Sequence, residues 1–320
     1  MKLTSVIGLA LLSVFASGAA RADLPANELG QIMVLEYHRI GPEGRWSRSI
    51  PGFRQDLQAL YSRGYYLTNL NDLLDRNIHV PAGKTPVVLT FDDSAAGQFG
   101  YIHTRQGDEL DPNTAVGVIT KFSEEHPDFG RAGTFYVNPN GKRDKAWSKL
   151  LNEMVALGFE LGNHTVSHPL LGKLSHEQVE AEIAGCQAWI DLNIPGYVVR
   201  TMALPFGGYP MQGGHRMDAW ASDGEAKGVR YHHEALMEVG SAPSASPFSA
   251  RFNAMHIPRV QVWGAAGPGE PVFSYYLNNF DKHPEQRFVS DGDAGTVTIK
   301  KGHRSELNAT SVGNLPVVER

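Results

Sequence analysis

Short apolar runs recur along this chain, and helix-periodic stretches separate most of them. The runs end near Glu36, Phe91, Val137, Gly162, Leu204, Tyr231 and Val262, and they read as strands buried on both faces. Between the first two, Phe53, Leu57, Leu60 and Tyr61 fall at i, i+4, i+7 and i+8, which predicts one apolar helix face closed by Gly64 as the C′ residue. Trp147, Leu150, Leu151 and Met154 predict a second helix, ended by Gly158. Ser175-His176-Glu177-Gln178 reads as a capping box opening a third, whose inner face carries Val179, Ile183, Cys186 and Ile190. Strands alternating with helices imply a parallel sheet in an α/β fold.

Two stretches depart from this rhythm. Residues 94–132 are longer than a simple strand-to-helix connection needs, with Gly97, Gly100, Gly107 and Asp111-Pro112-Asn113 ahead of a helix around Thr114 to Phe122. The tail from about Gly267 is polar, apart from Phe273-Ser274-Tyr275-Tyr276-Leu277 and a short strand pattern at Thr296–Ile299. No internal repeat or low-complexity tract is present.

Candidate chemistry gathers at the ends of two predicted strands. Pro86-Val87-Val88-Leu89-Thr90-Phe91 stops at two adjacent carboxylates, Asp92 and Asp93. Acids that leave a parallel strand at its C-terminal edge stand where α/β folds build active sites. Some seventy residues on, Leu161-Gly162-Asn163-His164-Thr165-Val166-Ser167-His168-Pro169 places two histidines four apart. Pro169 and Gly162 oppose a helix there, so the pair belongs on a strand-exit loop. Two imidazoles and one carboxylate with an open position form the ligand set of many hydrolytic metal sites, chiefly zinc and sometimes iron, cobalt or nickel. One aspartate suffices as a ligand and the other is free to act as a base. Spacing alone does not say which is which.

These residues carry a resemblance. Thr90-Phe91-Asp92-Asp93-Ser94 and Asn163-His164-Thr165-Val166-Ser167-His168-Pro169 are similar to the first two motifs of the NodB-like polysaccharide deacetylases, carbohydrate esterase family four. Gly133-Thr134-Phe135-Tyr136-Val137 resembles the strand between them. The resemblance implies a distorted seven-stranded β/α barrel over about residues 31–265. It also implies Asp93, His164 and His168 as ligands of a divalent metal, most often Zn²⁺ with Co²⁺, Ni²⁺ or Fe²⁺ as alternatives, and Asp92 as the base. Met202-Ala203-Leu204-Pro205-Phe206-Gly207 resembles a third motif, in which the family's backbone N–H after the proline, here on Phe206 after Pro205, helps to form the oxyanion hole.

Ala203 stands where the family usually has an arginine that orients the base. Arg200 and Arg259 are the candidates to replace it, and Arg259, at the start of a late strand, is preferred. Met33-Val34-Leu35-Glu36-Tyr37-His38 resembles the start of the circularly permuted branch typified by periplasmic poly-N-acetylglucosamine deacetylases. In that branch this histidine is the general acid, so His38 takes the role here, with His256 as runner-up. The activity implied is metal-dependent removal of N-acetyl groups from an N-acetylglucosamine-containing polysaccharide. O-acetyl or formyl removal, and a catalytically inactive carbohydrate-binding protein, are the alternatives.

Composition narrows the setting. Met1-Lys2, the apolar run Val6–Leu12 and Ala20-Arg21-Ala22 have the form of a secretory signal cleaved near Ala22. The expected product is secreted or periplasmic, with residues 1–22 removed, a catalytic domain at 23–265 and a C-terminal extension at 266–320. The formal charge of −5 includes Lys2 and Arg21, and the mature chain retains 27 basic against 34 acidic residues, a net of −7. That balance opposes nucleic-acid binding and a broad basic membrane patch. No later segment reaches transmembrane length. The one cysteine, Cys186, cannot form an internal disulfide and is expected to be a buried helix residue. The expected partner is a polysaccharide or oligosaccharide substrate, and nothing in the sequence sets an oligomeric state.

Overall fold

The computed structural model describes residues 24–95, 97–139, 146–240, 242–264, 267 and 269–320. The predicted signal segment at 1–22 and the boundary drawn at 265/266 lie outside the described residues.

The main sheet consists of β1 (Met33–Tyr37), β2 (Tyr65–Leu67), β3 (Thr85–Phe91), β4 (Thr134–Val137), β5 (Glu160–Asn163), β6 (Thr201–Ala203), β7 (Ala235–Met237) and β8 (Val260–Gln261). Seven strands run in the order β7-β6-β5-β4-β3-β1-β8, and β2 joins β3 off this path. Every pairing in the sheet is parallel. Ile257, just before β8, bridges Met237 of β7 while Val260 pairs with Leu35 of β1. The two ends of the sheet therefore meet, and the curl is the distorted (β/α)7 barrel of the NodB fold.

Strand alternation sorts the side chains into two layers. Met33, Leu35 and Tyr37, with Val87, Leu89 and Phe91, belong to the core that packs against α1 (Ile50–Ser62), α3 (Ala115–Glu125), α4 (Ala146–Ala156) and α5 (His176–Asn193). Val34 and Val88 belong instead to the inner core, with Leu70 and Leu73 of α2 (Leu70–Leu74), Tyr136, Ala203, Met237 and Ile257. The next inner positions along the two strands are Glu36 and His38, and Thr90 and Asp92. The barrel interior is thus apolar at its base and polar at its C-terminal mouth.

The predicted helices form for the reasons the patterns gave. Ser49 caps α1 by accepting from Gly52 N–H, Phe53, Leu57 and Leu60 are buried, and Gly64 follows at φ 73°. In α5 both halves of the Ser175/Gln178 capping box are made, and Cys186 is buried. The run ending at Tyr231 is not a barrel strand. Val229–His232 pairs antiparallel with Asp223–Ala226, because Lys227 and Gly228 both adopt positive φ, the turn that suits a two-residue hairpin. The barrel strand is β7, a few residues later.

Two further features escaped the pattern. Residues 94–132 contain a hairpin, Tyr101–Thr104 against Gly107–Leu110, before α3. The tail is joined to the barrel's own cores. Phe273, Leu277 and Phe280 enter the outer core, while Phe288, Val297 and Ile299 join Val34 and Val88 in the inner one. Buried Arg287 ties the tail to Thr85 at the start of β3. Among the described residues no helix is long and apolar enough to cross a membrane.

Candidate active site

All the parallel strands present their C-terminal ends at one mouth, and the motif residues leave the sheet there. His38 follows β1, Asp92-Asp93 follow β3, His164 follows β5, and Leu204-Pro205-Phe206 follow β6. They border a cavity of about 410 Å³ lined by His38, Trp46, Asp92, Asp93, His164, His168 and Phe206, among others. That volume suits a small ligand or one sugar unit with its substituent.

Asp93, His164 and His168 form a tight cluster. Asp93 Oδ1 lies 3.2 Å from His164 Nε2 and 3.3 Å from His168 Nε2. Donors each about 2.0–2.1 Å from a tetrahedral ion stand roughly 3.3 Å apart, so the spacing fits one small divalent cation. The tautomer fits as well. His164 Nδ1 is 2.8 Å from the Ala203 carbonyl, to which it can only donate, leaving the Nε2 lone pair for a metal. Ala203, the position without the expected arginine, thus serves the site through its backbone.

His168 is held by its loop. Glu182 of α5 accepts from the N–H groups of Val166 and Ser167 and from the Ser167 hydroxyl, at 3.0, 2.8 and 2.7 Å. Asn163 accepts from Thr165 N–H and donates to the Ile183 carbonyl, and Thr165 Oγ1 accepts from His168 N–H. Burial pushes the His168 imidazole below its ordinary range, which favours the neutral form that ligates.

Asp92 lies beside this cluster with different partners. Arg259 reaches it with both arms, Nη1 to Oδ1 and Nη2 to Oδ2, each at 2.7 Å. Arg259 Nη1 also donates to Thr90 Oγ1, and its Nε to the Glu238 carbonyl. Burial alone would raise the Asp92 carboxyl, but Arg259 and His164 hold it well below the usual carboxylate range. Glu36, His38 and Asp92 form a second group of close donor atoms. Arg259, 2.7 Å from Asp92 and 3.5 Å from Glu36, supplies the positive charge there and opposes a second cation.

The other candidates lie elsewhere. Arg200 is spent on Asp75 and Glu234, away from Asp92. His256 is pinned by Asp218 at 2.7 Å and stacked on Tyr209, and it does not line the cavity. His38 does, edge-on to the Trp46 ring at 5.0 Å. Phe206 is 65% exposed and places its ring 4.5 Å from that of His168. Cavity residues Trp46, Asp93, His168 and Phe206 hold φ of 59, 77, 58 and 57°. Non-glycine residues keep that conformation only where their surroundings impose it, and such positions cluster at functional sites.

Several participants have no motif to announce them. Gln98 is fully buried and its amide donates to the carbonyls of both His38 and Asp92, tying two strand ends together. Glu182 falls on the polar side of a helix read only for its apolar face. Glu36 was legible in principle, since it shares the inner face with His38 two residues away.

Comparison with known proteins agrees with this geometry. Residues 79–213 match the family model described as polysaccharide deacetylase, a span that holds Asp92, Asp93, His164, His168 and Phe206 but neither His38 nor Arg259. The deacetylase PplD of Streptococcus pyogenes, solved in complex with acetate, is 20% identical over 78% of this chain and 97% of its own, with a TM-score of 0.55. IcaB from Ammonifex degensii is 21% identical over 78% of this chain and 96% of its own, with a TM-score of 0.52. At these identities the likeness to the solved structures is one of fold. By motif, family match and fold together, the chain resembles the NodB-like polysaccharide deacetylases.

Proposed function

We propose that this relative of the NodB-like deacetylases removes N-acetyl groups from an N-acetylglucosamine-containing polysaccharide and releases acetate. The observation that carries the reading is the division of two adjacent carboxylates. Asp93 faces two histidine Nε2 atoms, while Asp92 faces a guanidinium.

Asp93, His164 and His168 would hold the metal, with zinc the first choice for two imidazoles and a carboxylate and cobalt, nickel or iron the alternatives. When bound there, such an ion supplies Lewis acidity toward the acetyl carbonyl and lowers the pKa of water. Asp92, kept ionised and oriented by Arg259, takes the proton from the attacking water. The Phe206 N–H, presented by the turn after Pro205, stabilises the oxyanion. His38 donates a proton to the leaving amine nitrogen. Ala203 had raised the possibility of an inactive carbohydrate-binding protein, and Arg259 at Asp92 favours the enzyme. The form of residues 1–22 supports a secreted or periplasmic setting, and Trp46 and Phe206 at the cavity support a sugar ligand.

The test is release of acetate, or of formate from the formylated sugars, by the mature chain supplied with zinc, cobalt or nickel. The panel comprises chitin oligomers, poly-N-acetylglucosamine, peptidoglycan, acetylated xylan and formylated amino sugars. Release from the N-acetylglucosamine polymers is expected. Release only from acetylated xylan or formylated sugars transfers the site to an esterase or deformylase, and binding without release makes it a lectin-like protein.

A further inference from the structure

Glu36 has no part in the reaction set out above, yet it stands within the reacting groups. It occupies the inner face of β1 two residues before His38, and its side chain is wholly buried. Its Oε2 accepts from Gly240 N–H at 2.9 Å. Its Oε1 is buried without a hydrogen-bond partner, 3.5 Å from Arg259 Nη2 and 3.7 Å from His38 Nε2. A buried carboxylate oxygen left in that state is costly and requires a reason.

The charges supply one. The groups facing Glu36 are Arg259 from the start of β8, Asp92 from the end of β3, His38 from its own strand and the Gly240 amide after β7. Arg259 and Asp92 cancel in their two-armed pair. Glu36 and His38 remain, the carboxyl group facing the imidazole at 3.7 Å. Burial, the largest influence on Glu36, lifts its carboxyl above the ordinary range despite Arg259.

We infer that Glu36 is a positioning residue that holds His38 at the cavity wall for proton delivery to the leaving amine. The inference rests on the proposed deacetylation. In the step, the carbon–nitrogen bond breaks, its electron pair passes to nitrogen, and nitrogen takes a proton from His38. The proton that Asp92 removed from water makes up the loss, so no outside acid is consumed.

The test separates substrates by leaving group. An N-acetyl glycan must have its amine protonated, whereas an aryl acetate expels a phenolate that needs no proton. Glu36→Gln keeps the shape and an acceptor for Gly240 but removes the ionisable group. It should lower kcat on the glycan by on the order of 10²-fold, with KM and metal content unchanged, and leave aryl acetate hydrolysis intact. In a His38→Ala background the same change should add nothing. Glu36→Asp, which withdraws the carboxylate by one methylene, should show a smaller loss on the glycan alone and provides the readout if Glu36→Gln does not fold. Equal losses on both substrates, no loss on the glycan, or a full additional loss in the His38→Ala background would overturn the inference. Failure of the unaltered protein to release acetate from any glycan would instead overturn the proposed function.

Discussion

Arg259 meets Asp92 with two guanidinium nitrogens on two carboxylate oxygens, both at 2.7 Å, and neither side chain is more than 2% exposed. A charge pair so buried depends on both members, because removing one leaves the other uncompensated. Arg259→Ala should cost about 3–5 kcal/mol of stability and lower turnover by at least about 10²-fold through the misplaced base. The stability term has a sign in pH. The folded Asp92 carboxyl lies below its unfolded value, so its contribution is present above the ordinary aspartate range and fades as pH falls through and below it. The gap in melting temperature between the two proteins should therefore be full at pH 7 and begin to narrow as pH falls below the ordinary aspartate range. A constant gap would refute the pairing as its cause.

Adjacent carboxylates with separate partners should also separate by substitution. Asp92→Asn leaves Asp93, His164 and His168 in place, so metal stoichiometry should be unchanged while acetate release is abolished. His164→Ala removes a donor and its bond to the Ala203 carbonyl, and both metal and activity should go. Metal content measured by elemental analysis on dialysed protein decides the matter. Parallel metal loss in both variants would mean that the two aspartates act as one ligand set.

The motif residues were readable because their chemistry is dense and their spacing local: a strand running into Asp92-Asp93, and a loop with His164 and His168. The barrel followed from alternation of apolar runs with periodic helices. Arg259 was reachable only as a vacancy to be filled, since 167 residues separate it from Asp92 and nothing local marks the contact. The hairpin ending at Tyr231 misled because its apolar content matches a short barrel strand, and the turn at Lys227-Gly228 decided otherwise. The tail was read as polar apart from its aromatic cluster and the strand pattern at Thr296–Ile299, and the strand forms at Val297–Ile299. That Phe288, Val297 and Ile299 join the inner core was not legible, since nothing local marks a contact with strands so distant in the chain. Glu182 and Gln98 act by hydrogen bonding to backbone, which no residue pattern reveals.

His38 and His256 compete for the general-acid role in sequence and are distinguished by their surroundings. His38 lines the cavity beside Trp46, whereas His256 is engaged by Asp218, with Arg216 2.8 Å from its other nitrogen. His38→Ala should lower kcat on an N-acetyl glycan by roughly 10²–10⁴-fold. His256→Ala should leave kcat within about threefold, because it contacts none of the reacting groups. Steady-state kinetics on one chitin oligomer suffices, and the reverse order would transfer the role to His256.

Glu182 provides a test of loop support separate from the ligands. Its carboxylate receives two backbone N–H groups and a hydroxyl from the loop leading to His168. Glu182→Ala should weaken metal affinity by about 10–100-fold, the usual effect of losing an outer-shell partner. Competition with a chelator reads the affinity directly. Unchanged affinity would show that the loop holds itself.

Glu28 offers a prediction far from the chemistry, where the tail meets the barrel. It is buried, and its Oε2 accepts from Thr298 N–H at 2.8 Å. Burial raises its carboxyl to about 8, Thr298 opposes the shift, and Asp291 and Asp293 add to it. A folded pKa above the unfolded value means that the neutral form is the stable one in the fold. Its favourable contribution is complete below about pH 4.5, is lost progressively as pH rises toward 8, and then stays lost. Glu28→Gln fixes the neutral form and keeps an acceptor for Thr298. It should leave the melting temperature unchanged near pH 4.5 and raise it above pH 7, by about 2 °C for each kcal/mol relieved. Calorimetry at both pH values checks the difference, and an equal shift at each would mean that packing, not ionisation, governs this position.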